Sequence, residues 1–192
     1  VTTDDTRERY EVLYRSTYPA VVAYVLRRVP DRGDAADVVA ETYLTLWRRF
    51  DSIPAGADAL PWIYGVARRT LANHRRGGIR RTALSTRLAE ALQVLPEAQP
   101  AGPDGVAVSR ALNRLTRADQ ELLMLVDVEG LTRDEVSVVL GASRPVVRVR
   151  LHRARQRLIH ELSAEGIHPQ SKQVPRNVPA APHALATPEV NP

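Results

Sequence analysis

The 192-residue chain contains no cysteine, and Lys172 is its only lysine. Without a thiol it can form no disulfide, no thiolate nucleophile, no redox switch of its own and no cysteine-held zinc site. The near-absence of lysine fits GC-rich codon usage and carries no mechanism. Long apolar runs are missing too: none approaches the roughly 18 residues that span a bilayer. The amino end, "VTTDDTRERY", is polar and acidic rather than signal-like. A cytoplasmic protein without membrane attachment is expected. Also absent are a glycine-rich phosphate loop, paired metal ligands, and a serine, histidine and acid at a recognisable spacing. The expectation is therefore no enzyme, no metal, no cofactor and no small-molecule substrate.

The chain is 44% hydrophobic, enough for real cores. Its net charge of +5 points weakly toward a polyanionic partner, so the clustering of charge has to decide. Apolar residues recur at spacings of three and four, with prolines falling between the periodic runs. This predicts an all-α chain, with helices over about 5–29, 34–50, 59–76, 82–94, 105–115, 117–128, 132–140 and 144–163. The stretch "LPEAQPAGPDG", 95–105, carries three prolines and two glycines and breaks the pattern. Two small helical domains, 5–78 and 105–163, are expected on either side of a flexible linker, 79–104. From 164 to 192 the chain is rich in proline and alanine, with too few large apolar residues to offset ordering entropy, so a disordered tail is expected.

The stretch "EGLTRDEVSVVLGASRPVVRVRLHRARQRL", residues 129–158, holds six arginines after Ser143 and no acid among them. Thr132 with Glu135 three residues on is the spacing of a capping box. Gly141 suits a helix end, and Ser143 with Pro145 suits the start of the next helix after a three-residue turn. On a helical wheel Val147, Leu151, Ala154 and Leu158 fall within about 60° of one another and form a buried stripe. Arg144, Arg148, His152 and Arg155 then lie on one flank and Arg150, Arg153 and Arg157 on the other, with Pro145 and Val149 between. Two basic flanks around a small apolar strip suit a duplex groove: guanidinium groups neutralise phosphates on both walls while the first turns reach base edges, and Val149 fits a thymine methyl. The DNA-reading set is Arg144, Arg148, Val149, His152 and Arg153. His152 and His160, eight apart on this basic helix, face DNA or solvent rather than a metal.

In "RGDAADVVAETYLTLWRRFDSI" the residues Val39, Tyr43, Leu46, Trp47 and Phe50 form a core face. Asp37, Glu41, Leu44 and Arg48 lie on the opposite side, an acidic patch with an apolar centre. It is either an ordinary surface or a docking face for a basic protein. In "PWIYGVARRTLANHRRGGIRR" six arginines occur with no acid. Arg68, Arg69, Asn73, Arg75 and Arg76, with Trp62, suit single-stranded DNA, where guanidinium groups follow the phosphates and planar groups stack on unpaired bases. Trp62 and Tyr64 serve equally well as core.

At these residues the chain resembles the extracytoplasmic-function (ECF) sigma factors, group 4 of the sigma-70 family of RNA polymerase subunits. "DAADVVAETYLTLWRRF" resembles their region 2.2 and "LPWIYGVARRTLANHRR" their regions 2.3 and 2.4. "LNRLTRADQELLMLVDVEGLTRDEVSVVLGASRPVVRVRLHRARQRL" resembles region 4, and the likeness runs over about residues 8–163. It implies that residues 5–78 are region 2 and 105–163 region 4. It further implies that Asp37, Glu41, Leu44 and Arg48 dock on the clamp helices of the beta-prime subunit of core RNA polymerase, with the beta flap as a second contact. The patch at 68–76 with the loop "DSIPAGADA" would hold the melted −10 element of promoter DNA, a flipped base entering at that loop, and the helix after Ser143 would read the −35 duplex. An anti-sigma factor is an implied regulator. Two departures bear on specificity. Arg69 stands where the family commonly has asparagine, and "SRPVVRVR" replaces the usual Ser-x-Gly-Thr-Val-Lys-Ser-Arg, putting Val146 and Val149 at polar positions. The alternative is a helix-turn-helix regulator of the response-regulator type, which would need an α/β receiver that the first half does not supply. A polymerase-binding regulator that does not direct initiation is a third reading.

Overall fold

A computed structural model describes residues 3–77, 88, 91–92 and 103–167, leaving aside the side chains of 3, 4, 103 and 104. Among the described residues every regular element is helical. The helices are α1 (Thr3–Leu26), α2 (Arg32–Arg48), α3 (Ala59–Arg75), α4 (Pro103–Arg114), α5 (Arg117–Leu123), α6 (Arg133–Leu140) and α7 (Arg144–Ala164). Two 3-10 turns, Phe50–Ser52 and Gly56–Asp58, join α2 to α3, and a π turn, Met124–Val128, extends α5. None of these helices is long and apolar enough to cross a membrane. The readings of 82–94 as a helix, 95–105 as a linker and the tail as disordered fall almost entirely outside the described residues.

The boundaries follow local chemistry. Asp31 caps α2 by accepting from the Asp34 amide at 2.8 Å, and Thr116 caps α5 through the Asp119 amide. At α6 the capping box is complete: Thr132 Oγ1 accepts from the Glu135 amide, and the Glu135 carboxylate accepts from the Thr132 amide at 2.7 Å. Gly141 ends α6 at φ 61°, where a Cβ would be strained. Pro145 lies in the first turn of α7 as expected, but Ser143, although at the N-cap, makes no side-chain capping bond. Thr132→Ala should cost about 1 kcal/mol and lower the melting temperature by about 2–4 °C. Thr132→Ser should preserve both, which thermal unfolding followed by circular dichroism would check.

Helices α1, α2 and α3 pack on one another, α7 packs against α4, α5 and α6, and α6 lies against α3. The two halves therefore share one apolar core, running from Val21, Val25, Val39 and Ile63 through to Leu122, Leu125, Val136, Val139 and Val147. The structure corrects the wheel for α2 in two places. Asp37, expected on the solvent side, is only 6% exposed. Trp47, expected in the core, is 44% exposed and packs edge-on against Tyr10, ring centroids 4.9 Å apart. A single buried stripe describes a helix with one packing partner. Helix α2 has α1 and α3 against it, and near its start Arg32 donates to the Leu92 carbonyl, so its buried arc is wider than one stripe.

Candidate nucleic-acid interface

Helix α7 turns its buried stripe inward as the periodicity requires. Val147, Leu151 and Ala154 are buried and Leu158 is half-buried, leaving Arg144, Arg148, Val149, Arg150, His152, Arg153, Arg155 and Arg157 exposed. The six arginines are not equivalent, however. Arg144 pairs with Asp134 of α6, Arg155 with Asp127 of the π turn at 2.8 Å, and Arg157 with Asp119 of α5 at 2.7 Å. The stretch that holds these arginines contains no acid, and the acids come from other helices. The first two pairs are exposed at both partners, worth about 0–1 kcal/mol, and a phosphate displaces them at little cost. The third differs because the Asp119 side chain is only 8% exposed, so Arg157 serves to hold α7 on α5. Among the described residues Arg148, Arg150 and Arg153 form no ion pair. They surround Val149, itself 43% exposed.

Helix α3 offers the second basic face. Arg68, Arg69, Asn73, Arg75 and Arg76 are all exposed, and Arg76 donates to Asn73 Oδ1 at 2.6 Å. Trp62, Arg69, Asn73 and Arg76 fall within about 60° of one another on the wheel, so a planar side chain, an amide and two guanidinium groups share one strip. Trp62 is half-buried against the core, whereas Tyr64 is 3% exposed and stacks on Tyr24 at 4.8 Å. The two aromatics left open by sequence thus separate: Tyr64 is core, and Trp62 is partly exposed at its edge of the core. Most of the preceding loop, from Asp51 to Asp58, is exposed, with Ile53 and Pro54 half-buried. His74 is held toward α2, its Nε2 3.4 Å from Asp34 Oδ1, and Asp37 lies close to both.

On α2, Glu41 and Leu44 are half-buried at the surface and Arg48 is exposed, with 3.5 Å between Arg48 Nη1 and Glu41 Oε1. Beside this face Arg7, Tyr10, Glu11, Tyr14 and Trp47 line a groove of about 660 Å³. The wheel concealed that groove by assigning Trp47 to the core.

A cluster that sequence reasoning missed joins the two halves. Tyr24 Oη donates to Glu121 Oε1 at 2.7 Å, and Arg28 reaches Glu121 through Nε and Glu129 through Nη1, both at 2.9 Å. Arg27 also pairs with Glu129, and the Arg28 guanidinium lies 3.6 Å from the centroid of the Tyr24 ring. The Arg28 and Glu129 side chains are each 3% exposed. Burial, and then the Glu121 carboxylate, push the Tyr24 hydroxyl far above the ordinary tyrosine range, so it stays a donor. These partners are 93–102 residues apart, and no local pattern marks them.

Residues 13–81 match the family described as Sigma-70 region 2, and residues 105–158 match Sigma-70, region 4. The chain is 33% identical over 166 residues to the ECF RNA polymerase sigma factor SigD of Mycobacterium tuberculosis, covering 77% of this chain and 74% of that one. The chain belongs to the ECF sigma factors. It is also 26% identical over 157 residues to the RNA polymerase sigma factor YlaC of Bacillus subtilis, covering 79% of this chain and 91% of that protein. The fold is similar to that of the sigma factor RpoE in its complex with the anti-sigma factor NepR from Bartonella quintana. That match has a TM-score of 0.60 at 21% identity and covers 82% of this chain and 99% of that one. As an ECF sigma factor the chain carries region 2 on α1–α3 and region 4 on α4–α7. The response-regulator alternative is not favoured, since the first half matches region 2.

Proposed function

We propose that this sigma factor binds core RNA polymerase through the Glu41, Leu44 and Arg48 face of α2, holds the melted −10 strand on α3, and reads the −35 duplex with α7. The observation that carries this reading is the basic face of α7. Arg148, Arg150 and Arg153 surround an exposed Val149 and have no acid partner among the described residues, while Arg157 is committed to Asp119. Such a face suits an external polyanion. Arg148 and Val149 belong at the base edges, and Arg144, His152 and Arg153 follow the backbone. On α3, Trp62, Arg69, Asn73 and Arg76 form the stacking and phosphate strip, extended by Arg68 and Arg75. The beta-prime clamp helices and beta flap are the polymerase surfaces engaged, and an anti-sigma factor is a further partner.

The burial of Asp37 shifts the test of core docking to Glu41. Glu41→Arg changes a surface charge, so its stability cost is small, but it reverses the charge offered to a basic partner. Core binding, measured by labelled-polymerase titration, should weaken at least about tenfold while the melting temperature stays unchanged. Unaltered affinity would remove α2 from the polymerase interface. Run-off transcription from a promoter selected with the purified holoenzyme tests the whole reading: absence of initiation with wild-type protein would overturn it.

A further inference from the structure

The open end of the α2–α3 hairpin gathers three side chains that can ligate a metal. Helices α2 and α3 are joined at one end by residues 49–58 and pack together, so the start of α2 meets the last turn of α3. Asp34 and Asp37, spaced i and i+3, present their carboxylates from neighbouring positions on α2. His74 faces them from α3, with its Nε2 3.4 Å from Asp34 Oδ1. One ligand atom from each of the three lies within 4.8 Å of the other two. We propose that Asp34, Asp37 and His74 form a binding site for a divalent cation of the zinc class, which clamps the open end of the hairpin. The donors come from two helices, so no local metal motif announces them. The site stands whether or not α3 carries DNA.

Geometry, charge and donor chemistry support it. Around a tetrahedral zinc ion with bonds of about 2.0–2.1 Å, neighbouring ligand atoms stand about 3.3–3.4 Å apart. The separation of Asp34 and His74 matches that edge, and it is longer than an N–H···O hydrogen bond of ordinary length. Asp37 is buried and anchors the site, while the side chains of Asp34, 44% exposed, and His74, 20% exposed, have room to close on an ion. Three protein donors leave a fourth position for water. Two carboxylates and a neutral imidazole around a dication sum to zero charge, which suits a site with one buried ligand. The carbonyl end of α3 favours a cation and the amide end of α2 opposes it, so the two dipoles offset and the carboxylates decide. The imidazole selects the ion: nitrogen donors suit zinc, cobalt and nickel, whereas magnesium and calcium prefer oxygen alone. A bound ion holds the end of α3, and with it Asn73, Arg75 and Arg76, at a set distance from α2.

The chain's lack of cysteine removes the commonest competing zinc ligand from the test. Untagged full-length protein stripped with chelator should bind one Zn2+ per chain in titration calorimetry, and should bind Co2+ with the strong visible absorption of a tetrahedral ion. Magnesium in large excess should displace neither. Zn2+ at about a hundred times its Kd should raise the folded-to-unfolded ratio about a hundredfold and the melting temperature by about 5–10 °C. Asp34→Asn and His74→Gln, with helicity checked by circular dichroism, should each weaken Zn2+ binding at least about tenfold. A direct ligand counts for no less than the roughly 10–100-fold carried by a group that only orients one. His160→Gln on α7 should bind as the wild type does. A measurement on the unaltered protein covers the case of a variant that does not fold: Zn2+ should shift the nuclear magnetic resonances of the His74 ring. No saturable Zn2+ binding, an unmoved His74 ring, or affinity that survives either Asp34→Asn or His74→Gln would overturn the site. Equal competition by magnesium would overturn it too. None of these results touches the sigma-factor reading, which initiation from a promoter tests separately.

Discussion

Arg28→Ala is expected to destabilise the folded chain by about 3–5 kcal/mol, because it leaves buried acid without its main cation. The Arg28 side chain is 3% exposed and serves two carboxylates, Glu121 at 18% and Glu129 at 3%. In the variant Glu129 keeps Arg27 and Glu121 keeps the Tyr24 hydroxyl, neither of which replaces a guanidinium shared between them. The Tyr24 ring also loses the cation against it. Urea unfolding followed by circular dichroism would measure the loss, and a change below about 1 kcal/mol would show that the charges are hydrated in solution. The companion variant, Arg28→Met with Glu121→Gln and Glu129→Leu, removes the charges together and should recover most of the stability. That contrast separates the role of the ion cluster from the apolar packing of α6 on α3.

Arg148→Ala should lower discrimination between the cognate −35 element and a mutated one by about 1–3 kcal/mol, the range for a bidentate arginine on a guanine edge. Val149→Ala should lower it less, since a methyl contact has no hydrogen bond to lose. Arg153→Ala should weaken binding to both sequences alike and flatten the salt dependence by about one unit of slope. Arg157→Ala is unsuitable as a backbone probe, because it unpairs the buried Asp119 and loosens α7 itself. Fluorescence anisotropy of the full-length protein on short duplexes at several salt concentrations measures all three variants. If Arg148→Ala weakened every duplex equally while Arg153→Ala changed sequence preference, the reading face would lie on the other flank of α7.

The helices were legible because their signals are local. The capping box at Thr132 and Glu135, the left-handed Gly141 and the stripe Val147, Leu151, Ala154 depend on neighbours within a few residues, and all appear as the pattern requires. Exposure of Arg68, Arg75, Arg148 and Arg153 followed for the same reason: a periodic apolar face turns its opposite side to water. Local periodicity does not count packing partners. It therefore put Asp37 outside and Trp47 inside on α2, a helix with neighbours on more than one side. Nor did it show which arginines of α7 are taken, since Asp119, Asp127 and Asp134 come from other turns of the fold.

The sequence by itself determined an all-helical chain, a capped helix-turn-helix, and two arginine-rich faces in separate halves, because spacing and capping act over one or two helical turns. Only the tertiary structure decided that the halves share a core, that Gly65 admits Val139 onto the arginine face of α3, and that Arg28 sits between Glu121 and Glu129. Partners about a hundred residues apart leave no trace in local periodicity. A buried charge and its counter-charge are chosen by where the chain brings them, and that position comes into being only when the helices pack.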